Sequence, residues 1–172
     1  AHMSDGDFYG SEKSLLLSQP TTVSIELVGK DGQTTVLKEG LALEQGEVID
    51  ASVMSRNALS QFLTEQLDAA VSEDVLFSLH MNATMMKVSD PIIFGHCVDA
   101  YLGEILGTHG EVLKTAGFNP NNGLSSFYSA LENLSADQKS AIEGDLAEIV
   151  AKRPPLAMVN SDKGITNLHV PS

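Results

Sequence analysis

The hydrophobic period changes near residue 55 of this chain, and that change constrains the fold more than any other feature. In Thr22-Thr-Val-Ser-Ile-Glu-Leu-Val28, the apolar residues Val23, Ile25 and Leu27 alternate with polar ones. A period of two predicts a half-buried strand. Lys30-Asp-Gly-Gln33 supplies a turn, because Gly tolerates the positive φ that tight hairpins need. Residues 34–38 read as the returning strand and residues 46–53 as a third, so the front is expected to be a small antiparallel meander. From Ser55, a plausible N-cap, the apolar spacing switches to three and four. Ala58, Leu59, Phe62, Leu63, Leu67 and Ala70 share one helical face.

The rest continues in mixed fashion. Val75-Leu-Phe-Ser-Leu79 reads as a short buried strand. Ser89-Asp-Pro91 opens a helix, with Ser89 or Asp90 as cap and Pro91 in the first turn. That helix is expected to run toward Leu106, weakened by Gly95 and Gly103. Residues 111–116 suggest a further turn, stopped by Gly117. Residues 119–123 form a loop, and residues 124–134 a short helix. Ser135 and Gln138 have capping-box spacing and begin a helix to about Lys152, with Ala141, Ile142, Leu146, Ile149 and Val150 inward. Pro154-Pro155 ends it, and residues 156–159 read as a strand. The expected fold class is α/β, layered, with an N-terminal antiparallel hairpin or meander. Residues 1–3, Ala-His-Met, read as an expression scar. Residues 4–20 read as a lead-in segment with one short helical turn, and residues 21–172 as a single α/β domain.

Charge narrows the partners. The 172 residues hold 23 Asp and Glu against 10 Lys and Arg, a formal net charge of -13. Such a surface repels phosphate backbones, which argues against nucleic acid, and anionic lipid is disfavoured likewise. No run approaches the roughly 18 apolar residues of a membrane span, and no leader of the secretory kind is read. Cys97 is the one cysteine. It excludes an internal disulfide and fits a cytoplasmic setting. Lying within Ile92-Ile-Phe-Gly-His-Cys-Val98, it reads as a packed core residue.

The chemistry-bearing residues are sparse. Neither a dinucleotide fingerprint nor a P-loop is present. His80, His96, His109 and His169 show no tight metal spacing, and nothing in the spacing of Asp90 and Asp162 brings them together. The run Ser78-Leu-His-Met-Asn-Ala-Thr-Met-Met-Lys-Val-Ser-Asp-Pro91 says more. There a strand ends and polar residues follow, and in layered α/β folds ligands gather beyond strand ends. Asn82, Thr84 and Lys87 are therefore candidates for ligand contact. A structural reading, with packed methionines and a solvated Lys87, stands equally open. Residues 160–167 are a turn in which Lys163 and Asn167 either approach a substrate or only shape the bend.

Four stretches carry a resemblance. They are Gly6-Asp-Phe-Tyr-Gly-Ser-Glu-Lys-Ser14, Gly46-Glu-Val-Ile-Asp50, Met81 with Ala83-Thr-Met-Met-Lys-Val-Ser-Asp-Pro-Ile-Ile-Phe-Gly95, and Ala157-Met-Val-Asn-Ser-Asp-Lys-Gly-Ile-Thr-Asn-Leu-His-Val-Pro-Ser172. Together they closely resemble monomeric NADP-dependent isocitrate dehydrogenase. Members of that family are several times longer. They convert isocitrate to 2-oxoglutarate, reducing NADP, with Mg²⁺ or Mn²⁺. The resemblance implies an isocitrate/isopropylmalate dehydrogenase-like fold and an interior segment of the large domain. It places the nucleotide contacts, most substrate clamps and an acidic metal ligand outside this stretch. No cofactor or metal is therefore expected on this chain alone.

The resemblance also implies one catalytic residue inside the chain, a lysine used in proton transfer, at the position of Asn82. An amide hydrogen-bonds but is no general acid or base near neutral pH. Substrate-proximal candidates are Lys87, Asn160, Lys163 and Asn167. Residues 60–61, 69–74 and 97–110 depart from the family's usual wording, which points to a divergent relative or a redesigned surface, with Asn82 an engineered or a natural change. Three readings follow. The chain is a fragment or truncated relative, inactive alone. Or it is a non-catalytic binding or dimerisation module with the same fold. Or it is a small enzyme using Asn82, Lys87, Asp162 and Lys163. The expected partners are the remainder of the parent enzyme or a second copy, meeting an apolar face.

Overall fold

The structure is a computed structural model, and it describes residues 1–81 and 86–156. The chain forms two compact units, one of residues 4–55 and one of residues 1–3 and 56–172.

The first unit holds a single helical turn and four strands. Helix α1 (Phe8–Ser11) is capped by Asp7, whose side chain accepts from the Gly10 amide. The expected helical turn is thus present, but Leu15 and Leu16 belong to a strand. Strand β1 (Lys13–Leu16) pairs antiparallel with β4 (Val48–Ala51), and β2 (Thr21–Val28) pairs with β3 (Thr34–Leu43). The meander is corrected by this pairing: one hairpin is nested inside another pair of strands, and β4 returns to β1 instead of adding to β3. Two backbone bonds extend the outer ladder, Leu17 N to Glu47 O and Gly46 N to Leu17 O. Ser11 fastens its end, donating to the Val53 carbonyl at 2.7 Å and accepting from the Val53 amide at 2.9 Å.

The half-buried face expected of β2 is also corrected. Ile25 is 50% exposed and Leu27 57%. From the Val23–Leu41 pair to the Ile25–Lys38 pair, β2 advances two residues and β3 three. The extra step includes Gly40, at φ 64°. Such bulges break the strict alternation that links sequence period to face. The Asp31-Gly32 turn is as expected, with Gly32 at φ 77° and Asp31 accepting from the Gln33 amide.

The second unit is helical. Helix α2 (Arg56–Ser72) buries Leu59, Leu63, Leu67 and Ala70, at the anticipated spacing. It stops where Asp74 adopts φ 53°, a left-handed conformation that Asp tolerates better than most residues. Helix α3 (Ser89–Tyr101) is followed by α4 (Gly103–Thr115), joined at the fully buried Leu102. The expected single run toward Leu106 is therefore two helices broken at Leu102, and residues 111–116 finish the second. Gly117, at φ 98°, ends it. A 3₁₀ turn (Pro120–Asn122) leads to α5 (Leu124–Leu131), then α6 (Ala136–Val150).

Neither Ser89 nor Asp90 caps α3. The cap position is Val88, without a side-chain cap bond. The chain is already coiled there, since the Asp90 amide bonds the Met86 carbonyl at 3.2 Å. The capping box of α6 is present in both directions. Its inward face holds Ile142 and Ile149, with Leu146 partly buried, but Ala141 and Val150 are exposed. The two misplaced residues lie at the edge of the buried stripe, where the helical spacing does not decide.

Leu67, Val98, Leu102, Ile105, Phe127 and Ile142 belong to one buried cluster drawn from α2 to α6. Phe127 is fully buried and meets the Phe118 ring edge-on at 5.7 Å. Such a pair adds about 0.5–1.5 kcal/mol beyond the area it buries.

Candidate functional site

Residues 75–79 form no extended strand. Their single ladder contact is a parallel bridge between Phe77 and Leu156, supported by the Phe77 amide donating to the Pro155 carbonyl at 2.9 Å. Val75 and Leu76 are exposed, so the expected buried strand is corrected to one bridged residue. Of the strand foreseen at residues 156–159, Leu156 makes this bridge, and residues 157–159 lie outside the described residues. The bridge thus sets Phe77 beside Leu156, five residues before Asn82 and four before Asn160 in the sequence.

A cavity of about 270 Å³ opens beside the bridge. Ser78, Leu79 and His80 form one wall, and Phe94, Cys97 and Tyr101 on α3 another. The turn at residues 122–125 closes the third side. Two glycines set that turn against α3. A Cβ on Gly95 would run into the Asn121 side chain and come within 3.1 Å of its amide nitrogen. Gly123 has φ 76°, and a Cβ there would lie 3.2 Å from the Phe94 ring. Both positions need glycine for close approach, the second also for its backbone angle.

The electrostatics of this cavity are muted. Burial pushes the Cys97 thiol up to about 11, so it stays protonated at neutral pH. A neutral, buried thiol is a packing residue and no nucleophile. His80 is the one ring nitrogen on the lining. Ser78, Asn122 and Ser125 add small hydrogen-bonding groups to a mostly apolar surface. Such a surface can hold and orient a ligand.

The sequence candidates fall unevenly. Lys87 lies exposed in the turn before α3. Asn82 and Thr84 lie outside the described residues, as do Asn160, Asp162, Lys163, Asn167 and His169. Asp90 is buried in the first turn of α3, where the Ser89 hydroxyl donates to it at 3.3 Å. His109 pairs with Asp145 across α4 and α6 at 2.7 Å, and His96 lies 3.9 Å from Asp99. Phe94, Cys97, Asn122 and Ser125 were not anticipated as lining residues. The glycines at 95 and 123 were the available signal, because each marks a close backbone approach.

Among the described residues, no three of His, Cys, Asp or Glu converge as a metal would need. The junction from β4 into α2, residues 52–55, carries no glycine to cradle a phosphate. No helix among the described residues is long and apolar enough to cross a membrane.

The architecture defines a mixed α/β segment with small antiparallel sheets and a helical unit. The sequence profile of the family described as monomeric isocitrate dehydrogenase matches residues 1–172, and the chain belongs to that family. It is 52% identical to isocitrate dehydrogenase [NADP] of Azotobacter vinelandii over all 172 residues. It is 51% identical to isocitrate dehydrogenase [NADP] 2 of Colwellia maris and 48% to the enzyme of the same name from Mycobacterium tuberculosis, again over its whole length. In each case the chain spans 23% of the relative's own length.

Proposed function

We propose that this chain is a segment of an NADP-dependent isocitrate dehydrogenase and catalyses nothing by itself. The parent reaction is the oxidative decarboxylation of isocitrate to 2-oxoglutarate. One observation carries the reading: the match is unbroken along the chain yet spans 23% of the relatives. A segment of that share contributes part of a substrate pocket and leaves the nucleotide and metal groups to the rest of the polypeptide. In this reading the segment belongs to the large domain of a layered, isocitrate/isopropylmalate dehydrogenase-like protein that works in the cytoplasm with NADP and Mg²⁺ or Mn²⁺.

Asn82 stands at the family's lysine position, with its proton-transfer chemistry lost. Lys87, Asn160, Lys163 and Asn167 are its substrate-side neighbours. The Phe77–Leu156 bridge supports this grouping, because it runs the two segments that lead to these residues parallel. The remaining chain of the parent enzyme covers the apolar residues that β2 and β3 leave exposed. The second reading, a non-catalytic module that dimerises through them, draws on the same exposure.

The test is calorimetric titration of the purified chain with isocitrate and Mg²⁺, beside the Asn82→Lys variant. Absence of heat from both is the expected result. Saturable binding by the unaltered chain would overturn the inert-segment reading in favour of a ligand-binding module. Binding by the lysine variant alone would mean that the pocket is complete and that Asn82 disables it.

A further inference from the structure

A second cleft, of about 390 Å³, lies where the ends of α3 and α6 meet the start of α5. Its walls are apolar, with Leu102, Leu124, Leu146 and Val150 among them. Three polar side chains also line it: Tyr101, Tyr128 and Arg153.

Tyr101 is the unusual member. It is 6% exposed, and among the described residues its hydroxyl has no hydrogen-bond partner. No buried side-chain oxygen or nitrogen among them is sealed away without one, so the hydroxyl must open onto free space. Tyr101 borders both cavities. Burial raises its pKa, while the nearby Arg153 charge lowers it and Tyr128 raises it again. Arg153 and Tyr128 line this cleft and not the one beside Phe77. Tyr101, Tyr128 and Arg153 are thus brought together on this cleft alone.

Arg153 is held in place without being used up. Its Nη1 donates to Asp68 at 3.4 Å and its Nη2 to the Ala100 carbonyl at 3.3 Å. A guanidinium has five N–H donors, so others remain. Its side chain is 16% exposed and that of Asp68 70%. Water therefore screens the carboxylate more than the guanidinium. Two phenols and a partly buried cation thus line one otherwise apolar cleft.

We propose that this cleft binds a small organic carboxylate with an apolar body. The carboxylate accepts from Tyr101, Tyr128 and Arg153, and the hydrocarbon lies along Leu124, Leu146 and Val150. Charge-assisted bonds of this type are the strong ones, and the cation selects an acid over its neutral counterpart. This cleft adjoins the cavity beside the Phe77–Leu156 bridge, sharing Tyr101, Leu124 and Leu156 with it, and the proposal does not depend on the dehydrogenase reading.

The test is an NMR titration of the whole chain with hexanoate, and with 1-hexanol as the uncharged control. Saturable shifts at Tyr101, Tyr128 and Arg153 are expected with hexanoate, with at least tenfold weaker binding of hexanol. Tyr101→Phe removes one oxygen and keeps the packing, and it should weaken hexanoate at least tenfold. Arg153→Gln should do the same, with circular dichroism checking that each variant stays folded. Equal affinity for hexanol, unchanged binding by Tyr101→Phe, non-saturating shifts or shifts centred elsewhere would each overturn the proposal.

Discussion

Gly95 shows how a single residue carries the wall of a cavity. A side chain there would gain about 1 kcal/mol of helix propensity. It would also press on Asn121, including its backbone nitrogen, and overpacking of that kind costs about 1–3 kcal/mol. The clash should win, so Gly95→Ala is expected to lower the midpoint of urea unfolding. A raised midpoint would mean that the 119–123 turn yields freely. Cys97 makes a prediction in pH. Its thiol titrates near 11 in the fold against an ordinary 9.0. Between those values the unfolded chain loses the proton and the folded chain keeps it, so stability falls as pH rises through that window. Burial raises Tyr101 as well, which acts in the same direction. Denaturant melts from pH 8 to 11 would show the decline for the parent and a shallower one for Cys97→Ala. Identical slopes would remove Cys97 as the source.

Among the elements, α6 is the one whose start the sequence states outright. Ser135 and Gln138 satisfy each other's backbone amides, and Ser135→Ala should cost about 1 kcal/mol in a thermal or urea melt. The His109–Asp145 contact ties the same helix to α4. Both side chains keep solvent access, so a double-mutant cycle to Ala should return no more than about 1 kcal/mol of coupling. A much larger coupling would mean that water is excluded from the pair. Phe127, on α5, is fully enclosed. Phe127→Ala should cost about 3–5 kcal/mol, more than either surface interaction. Elements with a strong local signal, such as α2 and α6, were legible from spacing and caps. The α3–α4 break was not, because Gly103 weakens a helix without stating whether it ends there. Leu102, buried at the break, shows that packing decided.

At the scale of the molecule, the unit of residues 4–55 leaves much of its apolar surface in water. Leu16, Leu27, Val28, Leu37 and Val48 are each more than half exposed. Scattered exposure is ordinary, but strand residues of this kind on unpaired edges invite a partner. Sedimentation velocity of the isolated chain is therefore expected to show concentration-dependent association, reduced by Leu27→Thr with Leu37→Thr. A monomer at all concentrations would indicate that these residues are tolerated in solvent.

The sequence by itself determined the family, the helix faces, the turn chemistry at Asp31-Gly32 and the capping box at Ser135. Each of these is encoded within a few consecutive residues, where spacing and backbone preference act directly. Only the tertiary structure decided that β4 returns to β1, that β2 and β3 lose their alternation through bulges, and that Tyr101 and Arg153 share a cleft. Those outcomes depend on pairings between residues far apart in the chain. Such pairings are selected by the total packing of both partners, and no local pattern records them.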